Sequence, residues 1–273
     1  MMTYDALPPL TRGRLETFLA CQRRFQLRYL ERLPWPEPPL AATLALAARH
    51  GQQFHQLLAQ HFLGLEPAPG QDEDLGRWWQ AFQRQGPTLP AGDQLPEVTL
   101  TIPLGQQRLT GRFDLVIRTP DRLYLYDWKT EQQPRPAHIL RQDWQTRLYL
   151  LLAVNGSAAL GGQLYRPEQV SLTYWFAQAP EKTVTFSYTS AEHDQQEAAL
   201  RALITQLDEQ LADGELIWPL TDNLNLCGPC PYQIYCGRQD VATNDPAPAA
   251  MAESWLEADE DAGPDSSLEP TWS

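Results

Sequence analysis

The run Gly111-Arg112-Phe113-Asp114-Leu115-Val116-Ile117-Arg118 is followed by Thr119-Pro120-Asp121-Arg122 and then by Leu123-Tyr124-Leu125-Tyr126-Asp127-Trp128-Lys129. Both outer runs carry the β-branched and aromatic residues of strands, and Pro120-Asp121 suits the centre of a turn. A hairpin folded there pairs residues whose numbers sum to 241, which sets Asp114 directly opposite Asp127. Their β-carbons are then on the order of 5 Å apart. Lys129 lies two residues beyond Asp127 and so shares its face. Like charges across a strand pair destabilise it, and losing water among Leu, Val and Tyr adds a cost that a cation would offset. Oxygen ligands at that separation suit Mg²⁺ or Mn²⁺. A loop with an odd number of residues would shift the register by one and leave two ordinary strand-end acids.

Outward from the hairpin, Glu97–Leu104 reads as a preceding strand, so that Glu97–Leu104, Gln107–Arg118 and Arg122–Lys129 form a set of three. Glu97 opens that set and is a looser candidate for the acidic site. A helix from about Ala137 to Val154 follows, then a hairpin of Val170–Ala177 and Lys182–Tyr188. Ser190 can cap a long helix with an apolar seam at Leu200, Leu203, Leu207 and Leu211. Before the strands, Thr11 can cap a helix reaching about Leu30, with Leu15, Phe18, Phe25 and Tyr29 roughly on one side. Pro34-Trp35-Pro36-Glu37-Pro38-Pro39 ends that helix. A second spans roughly Leu40–Leu63, with Gly51, His55, Leu58 and Phe62 along one face, and a short third runs through Trp78, Trp79 and Phe82.

The 273 residues are 42% apolar and 20% charged, as in globular proteins, with a formal charge of −13. Residues 241–273 hold eight acids and no Lys or Arg, leaving −5 for residues 1–240. Composition excludes a fibrous or membrane protein without excluding DNA. The N-terminus lacks a basic start followed by an apolar core, so no secretory signal is expected. The charge-free stretch Leu148–Tyr165 is interrupted by Asn155, Gly156, Gly161 and Gly162 and reads as a helix end and loop. The expected location is cytoplasmic, where thiols stay reduced. Nineteen Arg accompany only two Lys, Lys129 and Lys182. Neither Lys follows a Gly, so this chain holds no Walker A nucleotide-binding motor.

Asp114 followed thirteen residues later by Asp127-Trp128-Lys129 resembles the core of the PD-(D/E)XK nucleases in its RecB-like form. Gly51-Gln52-Gln53-Phe54-His55 resembles that family's upstream helical motif, and Gln145-Thr146-Arg147-Leu148-Tyr149 its Q-x-x-x-Y motif. The resemblance covers about residues 10–238. It implies an α/β, restriction-endonuclease-like core with a central mixed β-sheet flanked by helices. It further implies Mg²⁺ or Mn²⁺ bound by His55, Asp114, Asp127 and the Trp128 carbonyl, with Lys129 handling the attacking water and Gln145 and Tyr149 positioning the scissile strand. Each extra motif has a plainer reading: His55 as a core histidine, and Gln145 and Tyr149 as i,i+4 neighbours bonded to each other.

Cys21 stands alone early in the chain, and Cys227-x₂-Cys230-x₅-Cys236 closes it. Four thiolates suit a 4Fe–4S cluster or a structural Zn²⁺, and two disulfides would need an oxidising compartment. The spacing resembles the iron–sulfur staple of AddB-type nucleases and of the CRISPR-associated RecB-like exonucleases. A staple between residues that far apart closes a long loop, so it reads as structural.

The domain reading is a nuclease domain over 1–240, with a helical part at 10–90, a catalytic core at 95–215 and a cysteine-rich closure at 220–240. An acidic, disordered tail at 241–273 carries Trp255 and Trp272. The expected activity is that of a metal-dependent DNA exonuclease acting on single strands or DNA ends in repair, recombination or CRISPR-type processing. Arg23, Arg24 and Arg28 would grip DNA, within a stretch 11–32 of local charge +4. A helicase or integrase partner is expected and a membrane is not. The alternatives are a non-catalytic iron–sulfur DNA-binding subunit and a zinc-stapled interaction scaffold.

Overall fold

The computed structural model describes residues 7–33 and 42–240; the Pro34–Pro39 run and the tail expected at 241–273 lie outside the described residues. Five strands form one sheet in the order β1-β2-β3-β4-β5. They are β1 (Asp93–Leu104), β2 (Gln107–Arg118), β3 (Leu123–Lys129), β4 (Val170–Phe176) and β5 (Val184–Ser187). β2 and β3 are antiparallel, β3 and β4 parallel, and β4 and β5 antiparallel, which makes the sheet mixed. The parallel step requires a crossover, supplied by α5 (Ala137–Gln142) and α6 (Trp144–Gly156). β4 is buried at all seven positions, as expected for a strand covered on both faces.

The hairpin register matches the sequence expectation. Leu115 pairs with Tyr126, Val116 with Leu125, Ile117 with Tyr124 and Arg118 with Leu123, so each pair sums to 241. Asp114 and Asp127 stand one step beyond the last of these pairs.

The described residues divide into two compact units, 42–102 with 111–203, and 7–33 with 103–110 and 204–240. In the first, α3 (Ala42–Phe62) and α4 (Glu73–Gln85) pack on the sheet through Phe54, Leu57, Leu58, Trp78, Trp79 and Phe82. These meet Leu115, Ile117, Tyr126, Trp128 and Trp175. Asp72 starts α4 by accepting the amides of Asp74 and Leu75, both at 3.0 Å.

In the second unit the single helix expected from Thr11 to about Leu30 is broken. Thr11 caps α1 (Arg12–Ala20) by accepting the Arg14 amide. Cys21 is extended, with φ −163° and ψ 108°, and a short α2 (Gln22–Phe25) restarts the chain before a π-helical turn over Gln26–Leu30. The break has a tertiary cause: the Arg23 amide donates to the Pro219 carbonyl, and Gln26 bonds both the Leu216 carbonyl and the Trp218 amide. Phe25 stacks on Trp218 with centroids 6.0 Å apart. This unit also contains α7 (Ser190–Asp213) from Ile204 onward. The expected Ala137–Val154 helix is likewise two helices, because Asp143 leaves the helical region at ψ 141°. Among the described residues no helix is long and apolar enough to cross a membrane.

Candidate metal-dependent nuclease site

The site forms where the regular hairpin ends. Adjacent strand residues point to opposite faces, and Trp128 joins the α3/α4 cluster while Asp127 and Lys129 meet Gln145 of α6. On β2, Leu115 and Ile117 also join that cluster, yet Phe113 packs against Tyr149 of α6, the rings tilted by 46° with centroids 4.6 Å apart. The alternation therefore changes phase at Asp114. That change lets Asp114 reach His55 on α3 while its other oxygen accepts the Trp128 amide at 2.7 Å.

His55 Nδ1 lies 3.0 Å from Asp114 Oδ1. Lys129 Nζ lies 2.9 Å from Asp127 Oδ1 and donates to Gln145 Oε1 at 2.8 Å. Gln145 Nε2 donates to Asp127 Oδ2, also at 2.8 Å. Asp127 is 2% exposed and Lys129 7%. The ammonium sits 5.4 Å from the centroid of the Tyr174 ring, whose hydroxyl shares a hydrogen bond with Thr146. Five of the predicted residues are thus brought together, along with the Trp128 backbone.

The charges are set against one another. Burial pushes the Asp127 carboxyl up to about 7; Lys129 opposes that shift, and Asp114 adds to it by repulsion. Burial would also raise Asp114, but His55, the Trp128 amide and Lys129 together hold it below the usual carboxylate range. His55 loses basicity by burial and regains more from Asp114, which carries it up to about 9. Its side chain keeps 31% of its surface exposed, so water weakens both the cost of burial and the pull of Asp114.

The donor types here, imidazole and carboxylate oxygen, are ones that divalent ions take. Asp127 Oδ1 is buried and accepts no well-directed hydrogen bond, although the Lys129 ammonium is near. His55 and Asp114 are held together by a bond that a cation could replace. Among the described residues, however, no three His, Cys, Asp or Glu side chains are drawn together at ligating geometry.

Tyr149 lies deeper than a strand-positioning role suggests. Its hydroxyl donates to the Arg112 carbonyl at 2.6 Å, and the residue is buried. Gly51 lies one turn before His55, and a β-carbon there would come within 3.1 Å of Thr130 Oγ1. Tyr174 was not singled out from the sequence. The parallel register places it beside Asp127, and only knowledge of strand order could reveal that neighbour.

Arg23 and Arg24, expected to grip DNA, are placed inward. They are 8% and 4% exposed. Arg23 donates to Gln26 at 2.6 Å and pairs with Glu31 at 3.0 Å, and Arg24 lines a cavity with the four cysteines. The stretch has its net positive charge, but the break at Cys21 turns two guanidiniums inward. Arg28 is partly exposed, with its guanidinium 5.4 Å from the Tyr29 ring centroid.

Cys21, Cys227, Cys230 and Cys236 are free thiols that line this one cavity together with Arg24 and Arg238. Arg238 donates to Cys227 Sγ at 3.1 Å. Burial pushes the Cys230 thiol up to about 11 and raises Cys236 as well. The four thiols thus share one cavity, but among the described residues no three of them are drawn together at metal-ligating geometry.

The profile of the PD-(D/E)XK nuclease superfamily matches residues 9–237, most of the chain. The protein belongs to that superfamily, whose chemistry is that of a nuclease, a hydrolase acting on nucleic acid. Among solved structures it is similar to a protein named as a candidate exonuclease from Eubacterium rectale, at 10% identity and a TM-score of 0.53, covering 89% of this chain and 92% of that one. The protein SSO0001 aligns at 15% identity with a TM-score of 0.39, covering 86% and 89%. No curated protein matches the sequence.

Proposed function

We propose that this protein is a metal-dependent deoxyribonuclease that hydrolyses DNA exonucleolytically, from single strands or ends. The observation that carries this reading is the buried constellation of His55, Asp114, Asp127, Lys129 and Gln145 at the end of the hairpin. Mg²⁺ or Mn²⁺ would be held by His55, Asp114, Asp127 and the Trp128 carbonyl. The bound ion would polarise the scissile phosphate and acidify water. Lys129 orients the attacking water and balances the negative charge that develops on the phosphate. Gln145 fixes Lys129 and Asp127 relative to each other, since it bonds both. Tyr149 acts through the main chain, holding β2 at Arg112, and Arg28 contributes to the grip on DNA.

Residues 1–240 act as one nuclease domain in this reading. Cys21, Cys227, Cys230 and Cys236 carry a 4Fe–4S cluster, or less favourably Zn²⁺, that staples the early and late segments of their unit. The donor set supports this: four thiols face one cavity, and two guanidiniums beside them offset thiolate charge. Cluster chemistry in this position belongs with DNA repair, recombination or CRISPR-type processing alongside a helicase or integrase.

The test is incubation of labelled linear and circular single-stranded DNA with Mn²⁺. Wild type should shorten the linear strand and spare the closed circle, and Asp127→Ala should leave both intact. Equal behaviour of wild type and Asp127→Ala removes the nuclease reading, and cutting of the circle removes the exonuclease one. A colourless protein with stoichiometric zinc after anaerobic purification removes the iron–sulfur assignment.

A further inference from the structure

Glu97 lies within β1 with φ at +54°, in the left-handed region that a non-glycine residue enters at a cost. Among the described residues only Arg32 is also a non-glycine with positive φ. Such a residue within a strand breaks its alternation and re-aims its side chain. Here the carboxylate reaches the neighbouring strand, with Glu97 Oε2 3.3 Å from Arg112 Nε.

Arg112 is fixed from behind. Tyr149 bonds its carbonyl, and Phe113 beside it packs against the same ring. Phe113 faces α6, so the Arg112 side chain leaves the opposite face, the one from which His55 reaches Asp114. Asp114 is only two residues further along β2, roughly 7 Å by strand rise. The Arg112 and Glu97 side chains keep 32% and 33% of their surface exposed. A pair that wet contributes little to folding, so the strained backbone at Glu97 is at least as large as the gain. Stability alone does not account for the arrangement.

We propose that Arg112 binds a phosphate of the substrate strand adjoining the one being cut, and that Glu97 holds its guanidinium in the DNA-free protein as a displaceable stand-in for that phosphate. A phosphodiester offers the two-oxygen edge that a guanidinium fork prefers, so it can replace the carboxylate bond for bond. The proposal rests on the nuclease reading above and adds a substrate contact to the same site.

The test is binding of fluorescein-labelled oligothymidylate to protein dialysed free of divalent ions, followed by anisotropy across a salt series. Arg112→Gln should weaken binding about tenfold near 50 mM salt and reduce the slope of log K against log salt by about 0.7, one phosphate contact on a single strand. Glu97→Gln should tighten binding several-fold, and that gain should vanish when combined with Arg112→Gln. Unchanged affinity and slope in Arg112→Gln overturns the proposal, as does a Glu97→Gln effect that persists without Arg112. Should Arg112→Gln fail to fold, Arg112→Lys decides: a retained slope with weaker affinity supports the contact, and a lost slope overturns it. Wild type that neither binds nor cuts defeats the nuclease reading itself. Wild type that binds and cuts, with Arg112→Gln binding as tightly, defeats this inference alone.

Discussion

The carboxylate site and the cysteine cavity both gather side chains that proteins use for metals, and they do so in opposite states of readiness. At the first, each carboxylate is already engaged: Asp114 by His55 and the Trp128 amide, Asp127 by Lys129 and Gln145. At the second, four free thiols share a cavity, burial favours their neutral forms at Cys230 and Cys236, and Arg238 bonds Cys227. A preorganised network holds its geometry before any ligand arrives, at the cost of burying charge. A thiol cavity takes its final geometry only with the ligand, so that ligand's binding free energy becomes folding free energy. The first region should therefore lose chemistry when damaged, and the second cohesion.

The largest expected effect comes from removing charge at the first region. Asp127→Ala and Lys129→Ala should each lower the cleavage rate by 10²–10³-fold or more, as loss of groups that stabilise developing charge does (roughly that range). Their thermal midpoints should stay within a few degrees of wild type. Without Lys129, Asp127 can take up a proton, since burial already favours its neutral form. Collapse of either variant on heating at temperatures wild type survives would show that the network serves folding and break the contrast.

Next is the converse change. Cys230→Ala should lower the thermal midpoint by on the order of 10 °C, given about 2–4 °C per kcal/mol for a chain of this size. Per correctly folded molecule, cleavage should change far less. A normal midpoint in purified Cys230→Ala would remove the staple and leave four unrelated thiols.

The two regions also differed in how far the sequence disclosed them. The hairpin register followed from turn chemistry and strand period, both local, and the observed pairs sum to 241 as expected. Asp114, Asp127 and Lys129 were legible for that reason. The phase change at Asp114 was not, because it is enforced by partners 59 residues before and 14 after, His55 and the Trp128 amide. Gln145 was legible as a motif residue, but its bridge between Lys129 and Asp127 depends on how α6 lies on the sheet. In the other region the cysteine spacing was visible. The break at Cys21 was not, since Cys-Gln-Arg-Arg-Phe fits a helix and the partners that interrupt it come from Leu216–Pro219. Local helical pattern lost to distant hydrogen bonds, and with it went the exposed placement of Arg23 and Arg24.

A smaller effect comes from pH. Burial pushes the Asp127 carboxyl of the folded protein from its ordinary 3.8 up to about 7, so the folded state holds the extra proton between those values. The contribution is complete below about 4 and is lost as pH rises through about 7. His55, raised to about 9, adds a further loss across roughly 6.5–9. Metal-free protein should therefore show a thermal midpoint that falls by a few degrees from about pH 5 to 8. Asp127→Asn should flatten the lower part of that fall, and Mn²⁺ should oppose it by replacing the proton. A midpoint that rises with pH in metal-free wild type would mean that Asp127 is ionised in the folded protein.

The smallest effect separates packing from geometry at the first region alone. Gly51 sits inside α3, where alanine is preferred over glycine by up to about 1 kcal/mol. A β-carbon there would meet Thr130 Oγ1 at 3.1 Å, a contact that a shift of a few tenths of an ångström relieves. Thr130 follows Lys129 directly, and His55 lies one turn further along α3, so the same shift moves His55 relative to Asp114. Displacements of that order are felt in rate, since about 1 Å can cost on the order of 10²-fold. Gly51→Ala should thus leave stability equal or slightly higher and lower cleavage a few-fold, with Gly51→Val stronger in the same sense. Stability and rate moving in opposite directions would mark Gly51 as a spacer for the His55–Asp114 contact. If Gly51→Ala cuts as fast as wild type, the close approach of α3 to Thr130 is incidental, and His55 is held by its bond to Asp114 alone.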